Sequence, residues 1–481
     1  MKIVIQSGTR RAEAECRAGQ DLLSVLRENG IFLPAGCGGR GSCGKCRVFV
    51  TGGRFGADGA EVLACKTQAE EGICVHVKEV QGGGLTRGES RTFACDGESG
   101  YGIAVDIGTT TIAFALCDLS SGETLAQYAC LNRQSAYGAD VISRIMAAQE
   151  GAADALAEAV RSQLREAAAK FCAEKGIRSI KKAAVCGNTT MLHLLCGEDV
   201  SGIGKYPFTP AFTQSRTEDG AQWGLNIGQV HILPSVSAFV GADVVAGCVA
   251  AGLDGEDAML ADIGTNGEMI AHAGGRFVCT STAAGPCFEG ANIECGMGGV
   301  AGAIDSVREE AGKIVCTVIG GGAPAGICGA GLVDAVALML RRGVIDPTGA
   351  FAEGDRFYLS PDVFISQRDI RNFQLAKSAI CAGIEILSER VGLSAQIQNV
   401  YIAGGLGFYL NTENALSVGL FPSQNAGKLR AIGNAALAGT CACLLSRAAM
   451  ERAERIAAEA EYIDLSMDEL FMQKYIENMN F

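Results

Sequence analysis

The chain of 481 residues is 48 % hydrophobic and 19 % charged, a balance that suits compact soluble domains and excludes a disordered chain. Its net charge of −13 disfavours nucleic acid and anionic membrane as partners, because phosphate binding wants clustered Lys and Arg. Apolar runs are broken before the roughly 18 residues that a membrane span needs, and the length predicts about two to four domains.

The opening residues, MKIVIQSGTRRAEAEC, alternate like a strand and lack the apolar stretch and cleavage site of a secretory leader, so the expected compartment is the cytoplasm. Twenty-one cysteines in such a chain point to metal or redox chemistry where they cluster. Where they are scattered, as at Cys117, Cys248 and Cys443, they read as small buried hydrophobes. Such heavy cysteine use also hints at an anaerobe.

Residues 1–80 are expected to form a small β-rich domain. Strands are predicted at 2–7 and near 11–17, followed by a helix that Asp21 opens and Gly30 stops, with Leu22, Leu23, Val25 and Leu26 on its apolar face. Further strands are predicted at 47–51 and 72–80. Between helix and strand lies PAGCGGRGSCGKCRV, in which Cys37, Cys43 and Cys46 are spaced C-x5-C-x2-C among Gly36, Gly38, Gly39, Gly41 and Gly44. Glycines let backbone approach inorganic sulfide and aim N–H groups at it. Cys65, in VLACKTQ, is the natural fourth ligand, whereas Cys74 lies in an alternating strand and is expected to pack.

This spacing resembles the ferredoxin pattern of a [2Fe–2S] centre, with the first gap one residue longer than in the plant type. A zinc ribbon would more often show two C-x2-C pairs, and only one is present. Such a cluster carries one electron, at about −400 mV if it behaves like plant-type centres.

Residues 81–100, rich in Gly and charge, read as a flexible linker. At Tyr101 the grammar changes to YGIAVDIGTTTIAFALCDLSSGETLA, an apolar strand, a polar turn and a second apolar strand. DAMLADIGTNGEMIAHAGGRFVCTS repeats it 156 residues later, Asp106-Ile-Gly-Thr-Thr against Asp262-Ile-Gly-Thr-Asn. An internal duplication is the simplest account, giving α/β units at 101–250 and 251–481. Helices are expected at 152–175 and 449–460, and strands at 183–186 and 400–402. YIDLS reads as a strand, and Leu470, Phe471, Tyr475 and Ile476 as the docked face of a last helix.

A turn of this kind can offer N–H groups and Thr or Asn side chains to phosphate oxygens, while its carboxylate faces a hydrated Mg²⁺. One copy alone would also suit an ordinary hairpin; two suggest a shared cleft. In VYIAGGLGFYL, Gly404, Gly405 and Gly407 follow a buried strand, as a loop lying flat against adenosine must, or as close strand–helix packing would. No G-x-x-x-x-G-K-[ST] is present, so a P-loop is excluded. Asn188, Thr189 and Thr190 read either as cleft residues or as a tight turn, and Glu268 either as a water-positioning acid or as a solvated strand-edge one. The helix beginning in GICGAGL could close the cleft. His76, His193, His231 and His272 show no metal-ligand spacing.

The two turns with a distal Gly-Gly resemble the acetate and sugar kinase, heat-shock chaperone and actin (ASKHA) superfamily. The resemblance makes Asp106, Thr109, Thr110 and Thr111 the first phosphate turn and Asp262, Gly264, Thr265 and Asn266 the second. Gly404 and Gly405 become the adenosine loop, with IGNAALAG the following helix. With a [2Fe–2S] domain in front, the chain is similar to the reductive activators of corrinoid proteins (RACo-type, DUF4445-like), through NRQSAYGADVISRI, CGNTTMLHLL, GICGAGLVDAVALML, RDIRNFQLAKSAICAGIEIL, AGGLGFYL and IGNAALAG.

The fold so implied is α/β and multidomain: a β-grasp ferredoxin-like domain followed by actin-like (ribonuclease H-like) ATPase domains. The activity implied is ATP-dependent return of a Co(II) corrinoid to methyl-accepting Co(I), an uphill step, using an electron held at Cys37, Cys43, Cys46 and Cys65. Asp106 and Asp262 would be catalytic and ATP with Mg²⁺ the further cofactors. The implied partners are a corrinoid protein of a methyltransferase system, a low-potential electron donor and a second copy of the chain as a homodimer. Two other readings start from the same residues: a sugar- or acetate-class kinase with a redox-sensing domain, and a ferredoxin-like binding partner with a degenerate nucleotide cleft.

Overall fold

The computed structural model describes residues 1–7, 10–33, 35, 37, 39–41, 43–77, 92–392 and 397–481. Alternation buries Ile3 and Ile5 on one face of β1 (Lys2–Ser7), which pairs antiparallel with β2 (Arg10–Glu15). Helix α1 (Leu22–Glu28) starts where the Asp21 carboxylate accepts the Ser24 N–H at 3.0 Å, and Gly30, at φ +75°, supplies the left-handed stop. Strands β3 (Arg47–Gly52), β4 (Ala60–Leu63) and β5 (Ile73–Val77) complete a sheet of order β2-β1-β5-β3-β4, with β1 and β5 parallel. Leu22, Leu23, Val25 and Leu26 cover it and are buried. This β-grasp has its own core, with no residue shared with the rest of the chain. The predicted strand at 72–80 is described only as far as Val77.

Of the expected linker, residues 81–91 lie outside the described residues, and 92–100 differ from expectation because they are fastened to the body. The Phe93 N–H donates to Gly122 O and the Asp96 N–H to Leu445 O, both at 3.0 Å, and Glu98 bridges Lys181 and Lys182 at 2.6 Å each. Gly-rich, charged composition signals a lack of core and is silent about partners supplied by other segments.

The duplicated grammar folds twice. In the first unit, β6 (Tyr101–Ile107), β7 (Thr111–Asp118) and β8 (Thr124–Leu131) form an antiparallel meander. Helices α2 (Val141–Ala147) and α3 (Ala153–Lys175) lead to β9 (Ile180–Gly187), parallel to β6; α4 (Thr189–Cys196), β10 (Arg216–Asp219) and β11 (Ile227–Ile232) give the order β10-β11-β9-β6-β7-β8. Helix α5 (Ala242–Ala251) then crosses to the second unit.

There β12 (Ala258–Ile263), β13 (Gly267–Ala273) and β14 (Arg276–Thr282) repeat the meander. Strands β15 (Ala303–Glu310), β16 (Lys313–Val318) and β17 (Gly326–Ile327) form a small sheet before α6 (Gly329–Arg341), and β18 (Arg356–Tyr358) and β19 (Phe364–Ser366) a hairpin before α7 (Gln367–Arg390). Strand β20 (Asn399–Ala403) lies parallel to β12, α8 (Thr412–Ser417) intervenes, and β21 (Leu429–Gly433), α9 (Ala435–Leu445), α10 (Arg447–Glu459), β22 (Glu461–Ile463) and α11 (Glu469–Glu477) end the chain. The order β21-β20-β12-β13-β14-β22 matches the first sheet strand for strand except at the edge strands β10 and β22.

The units meet where α5 crosses α9. Although α9 and α10 come late in the chain, their apolar residues join the core of the first sheet. The crossing is close because Gly439 faces backbone: a Cβ there would lie 1.8 Å from Ala246 O. Gly439→Ala is therefore expected to cost about 2 kcal/mol or more, read as a fall in Tm by calorimetry, because neither helix backbone can step aside cheaply.

Cys117, Cys248 and Cys443 are buried among apolar neighbours, as expected. The last helix departs from expectation. Tyr475 packs against the core, but Leu470 is 38 % and Ile476 65 % exposed, because α7 covers only part of the face that helical spacing makes apolar. Among the described residues no helix is long and apolar enough to cross a membrane.

Candidate functional site

The thiols of Cys46 and Cys65 stand 3.3 Å apart below the cysteine loop. Burial pushes the Cys65 thiol up to about 11, with Cys46, Cys37 and Cys43 adding to the rise, so all four sulfurs share one neighbourhood. Gly39, Gly41 and Gly44 take positive φ; at Gly39 a Cβ would sit 3.5 Å from Leu23 and 4.0 Å from the Cβ of Cys65. Gly36 and Gly38 lie outside the described residues. Among the described residues no three His, Cys, Asp or Glu side chains close on one metal-sized point. An all-thiol set spread around a glycine loop fits a two-iron, two-sulfide group better than a single ion. Cys74 lies in β5, opposite Thr51.

The two Asp-Gly-Thr segments are β-hairpin turns at corresponding places in the two sheets. Gly108 N–H closes the first on Thr111 O and Gly264 N–H the second on Asn266 O, each at 3.0 Å. Thr109 Oγ1 accepts from Asn188 Nδ2 at 3.2 Å, and the Asn188 carboxamide also caps α4, which puts Asn188 in the cleft as well as in a turn. Glu289, in the turn Pro286–Glu289, joins the two hairpins. Its carboxylate accepts from Thr110 Oγ1 at 3.1 Å, from Thr265 N–H at 3.0 Å and from Thr265 Oγ1 at 2.9 Å. Nearby, Gly404 at φ +84° leaves no room for a side chain, since a Cβ would meet Asp262 Oδ1 at 2.5 Å, whereas Gly405 faces open space.

Behind the turns four carboxylates stand together, Glu268 buried and Asp106, Asp243 and Asp262 half-buried. Burial raises Asp106 to about 6, against the opposing hydrogen bonds from Asn434 Nδ2 at 3.0 Å and the Cys186 thiol at 3.7 Å. Asp262 rises to about 8 through burial and the charges of Asp243, Asp106 and Glu289. Asp243 and Glu268 are raised by burial and by nearby carboxylates, Asp106 for the first and Asp243 and Asp262 for the second. Glu268 pairs across the ladder with Asp262, so its place is inside the cluster and not on a solvated edge. Carboxylates packed so closely call for a compensating cation or for protons.

Asp243, Glu289, Asn434 and Arg144 were not singled out from sequence. Asp243 follows Gly241 at the start of α5, Asn434 caps α9, and Arg144 is fully buried with Nη2 on Thr109 O at 2.5 Å and Nε on Gly138 O at 3.0 Å. A small residue followed by an acid or amide at a strand-to-helix junction was the available signal for the first and third.

Comparisons agree with this division of labour. Residues 5–70 match the 2Fe-2S iron-sulfur cluster binding domain, 101–256 the RACo middle region and 256–481 the C-terminal domain of RACo, the ASKHA domain. The chain is 36 % identical over 79 % of its length, and 70 % of the relative's, to the corrinoid activation enzyme RamQ of Eubacterium limosum. It is 25 % identical, over 79 % of its own length and 77 % of the relative's, to the [Co(II) methylated amine-specific corrinoid protein] reductase of Methanosarcina barkeri. A solved structure, "Reductive activator for corrinoid,iron-sulfur protein", superposes with a TM-score of 0.73 at 29 % identity, covering 100 % of this chain and 98 % of that one.

Proposed function

We propose, for a chain that belongs to the RACo-type family of reductive activators of corrinoid proteins, that it uses ATP to return the Co(II) corrinoid of a protein partner to Co(I), one electron per cobalt. The observation that carries this reading is the union, in one chain, of a four-thiol glycine loop with a duplicated Asp-Gly-Thr cleft over clustered carboxylates. Relatives named as corrinoid activation enzyme and corrinoid protein reductase support it.

Cys37, Cys43, Cys46 and Cys65 would hold the [2Fe–2S] group, which when bound supplies storage for a single electron at low potential. Thr109, Thr110, Thr111, Gly264, Thr265 and Asn266 would present hydroxyls and N–H groups to the phosphates. The Asp106 and Asp262 carboxylates would face Mg²⁺, giving up the protons that burial favours, and Asn434 keeps Asp106 oriented. Gly404 and Gly405 would lie against adenosine. In this reading 1–80 stores the electron, 81–100 links, and 101–250 and 251–481 close on nucleotide, a motion that drives the uphill step. The setting is the cytoplasm; the partners are a corrinoid protein of a methyltransferase system, a low-potential donor and, in a homodimer, a second copy.

The test is anaerobic, with cluster-loaded protein, a strong reductant, a Co(II) corrinoid protein and MgATP. Growth of the Co(I) absorption band only when ATP is present is the expected result. A flat trace with intact cluster and cognate partners would overturn the reading.

A further inference from the structure

The cysteine domain is seated on the first ATPase unit through a small, definite contact. Ala35 N–H donates to Ser135 O at 3.3 Å, and Arg27 Nη2 donates to Ala136 O. The Arg27 guanidinium lies over the Tyr137 ring at 4.6 Å, that of Arg133 over Phe32 at 5.3 Å, and Arg40 reaches Glu150 at 3.8 Å. Arg27 Nε is buried without a hydrogen-bond partner, and the charge lies within electrostatic reach of Cys46 and Cys65. The contact thus uses the side of the domain that carries the cysteine loop.

The stretch that receives this domain also holds the first phosphate turn from behind. Asn132 N–H donates to Thr110 O at 2.8 Å, Asn132 Nδ2 to Gly108 O at 2.9 Å and Arg144 Nη2 to Thr109 O at 2.5 Å, so three successive carbonyls of the turn are gripped. Arg144 continues to Gly138 O at 3.0 Å and to Gln134 Oε1 at 3.3 Å, and Gln134 N–H donates to Asn132 Oδ1 at 3.0 Å. Asn132, Gln134 and Arg144 are all fully buried. A buried, satisfied network of this kind has few alternative arrangements, so the turn cannot shift on phosphate without displacing residues 133–138.

We propose that residues 132–144 form a two-sided seat which couples occupation of the first phosphate turn to release of the cysteine domain, with Arg27 as the latch. The proposal rests on the ATP-dependent reading above and adds how nucleotide reaches the electron store. While seated, the loop is held to the ATPase unit at Ala35, on Ser135, and at Arg40, on Glu150; release frees that side of it for a protein-borne corrinoid. The latch consists of few contacts, most of them cation–aromatic or single hydrogen bonds, so nucleotide binding suffices to open it. By linkage, complete loss of the latch tightens ATP binding by at most the factor by which ATP weakens the latch, and partial loss by less.

Amide hydrogen exchange and MgATP titration on the full-length, cluster-loaded chain test this. MgATP is expected to speed exchange at the Ala35 amide and across 133–138. In Arg27→Ala, and in Tyr137→Ala, which leaves the cysteine domain untouched, exchange at Ala35 should already be several-fold faster without nucleotide, and the Kd for MgATP about threefold lower or more. Wild type that binds MgATP without a change at Ala35, or variants with wild-type Kd, would overturn the coupling. A wild-type chain that binds no MgATP in the titration overturns the functional reading itself, which separates the two failures.

Discussion

Cys43→Ser is expected to abolish the visible absorption of the [2Fe–2S] protein and to reduce corrinoid reduction to background, while the thermal transition of the ATPase body stays at its wild-type value. In the proposed four-thiol set the loss of Cys43 would leave an iron without its ligand, and Cys74, held in the ladder of β5 against β1 and β3, would not replace it. The body is spared because the β-grasp core shares no residue with the other two cores. Absorption spectroscopy and calorimetry on one preparation decide the matter. A wild-type spectrum in the variant would remove Cys43 from the ligand set.

Asp262→Asn should move stability and activity in opposite directions. Burial, then Asp243, Asp106 and Glu289, hold Asp262 at about 8, against roughly 3.9 in an unfolded chain. Between those values the folded state keeps a proton that the unfolded state has lost, so without a cation stability falls as pH climbs from about 4 to about 8. Asp106, at about 6, adds a fall over the lower part of that window, on the order of 3 kcal/mol. Asn at 262 carries no charge to desolvate. Its Tm should exceed that of the wild type at pH 8, with a shallower slope from pH 5 to 8 in calorimetry without Mg²⁺. ATP-dependent reduction should fall about 100-fold or more, as when a charge-stabilising group is removed from a site. Parallel Tm profiles for variant and wild type would show that this carboxylate is not kept protonated by burial.

Much of this was legible in the chain. That Cys37, Cys43, Cys46 and Cys65 gather at one loop could be read from glycine and spacing, and the paired sheets from a repeated strand-turn-strand grammar, because both signals are local. Asp243 and Glu289 are not local signals. The first sits in SAFVGADVVAG, which reads as the apolar start of a helix, and the second in a short turn; only the meeting of two sheets gives either a role. Arg144 looks like the polar face of an amphipathic helix in DVISRI, yet it is fully buried because the carbonyls of a distant hairpin need a donor. Leu470 and Ile476 erred the other way, since helical spacing reveals an apolar face and not whether anything covers it.

The crossing at Gly439 gives α9 the mechanics of a lever. Its eleven residues span about 16 Å, and the close approach to Ala246 places the fulcrum near the middle. At one end Asn434 grips Asp106; at the other, Leu445 O holds the Asp96 N–H, on the path that arrives from the cysteine domain. A tilt of about 10° would swing each end by roughly 1 Å, and in opposite senses. One rigid rod thus ties the position of the Asp106 carboxylate to the point where the segment leading from the cysteine domain is fastened.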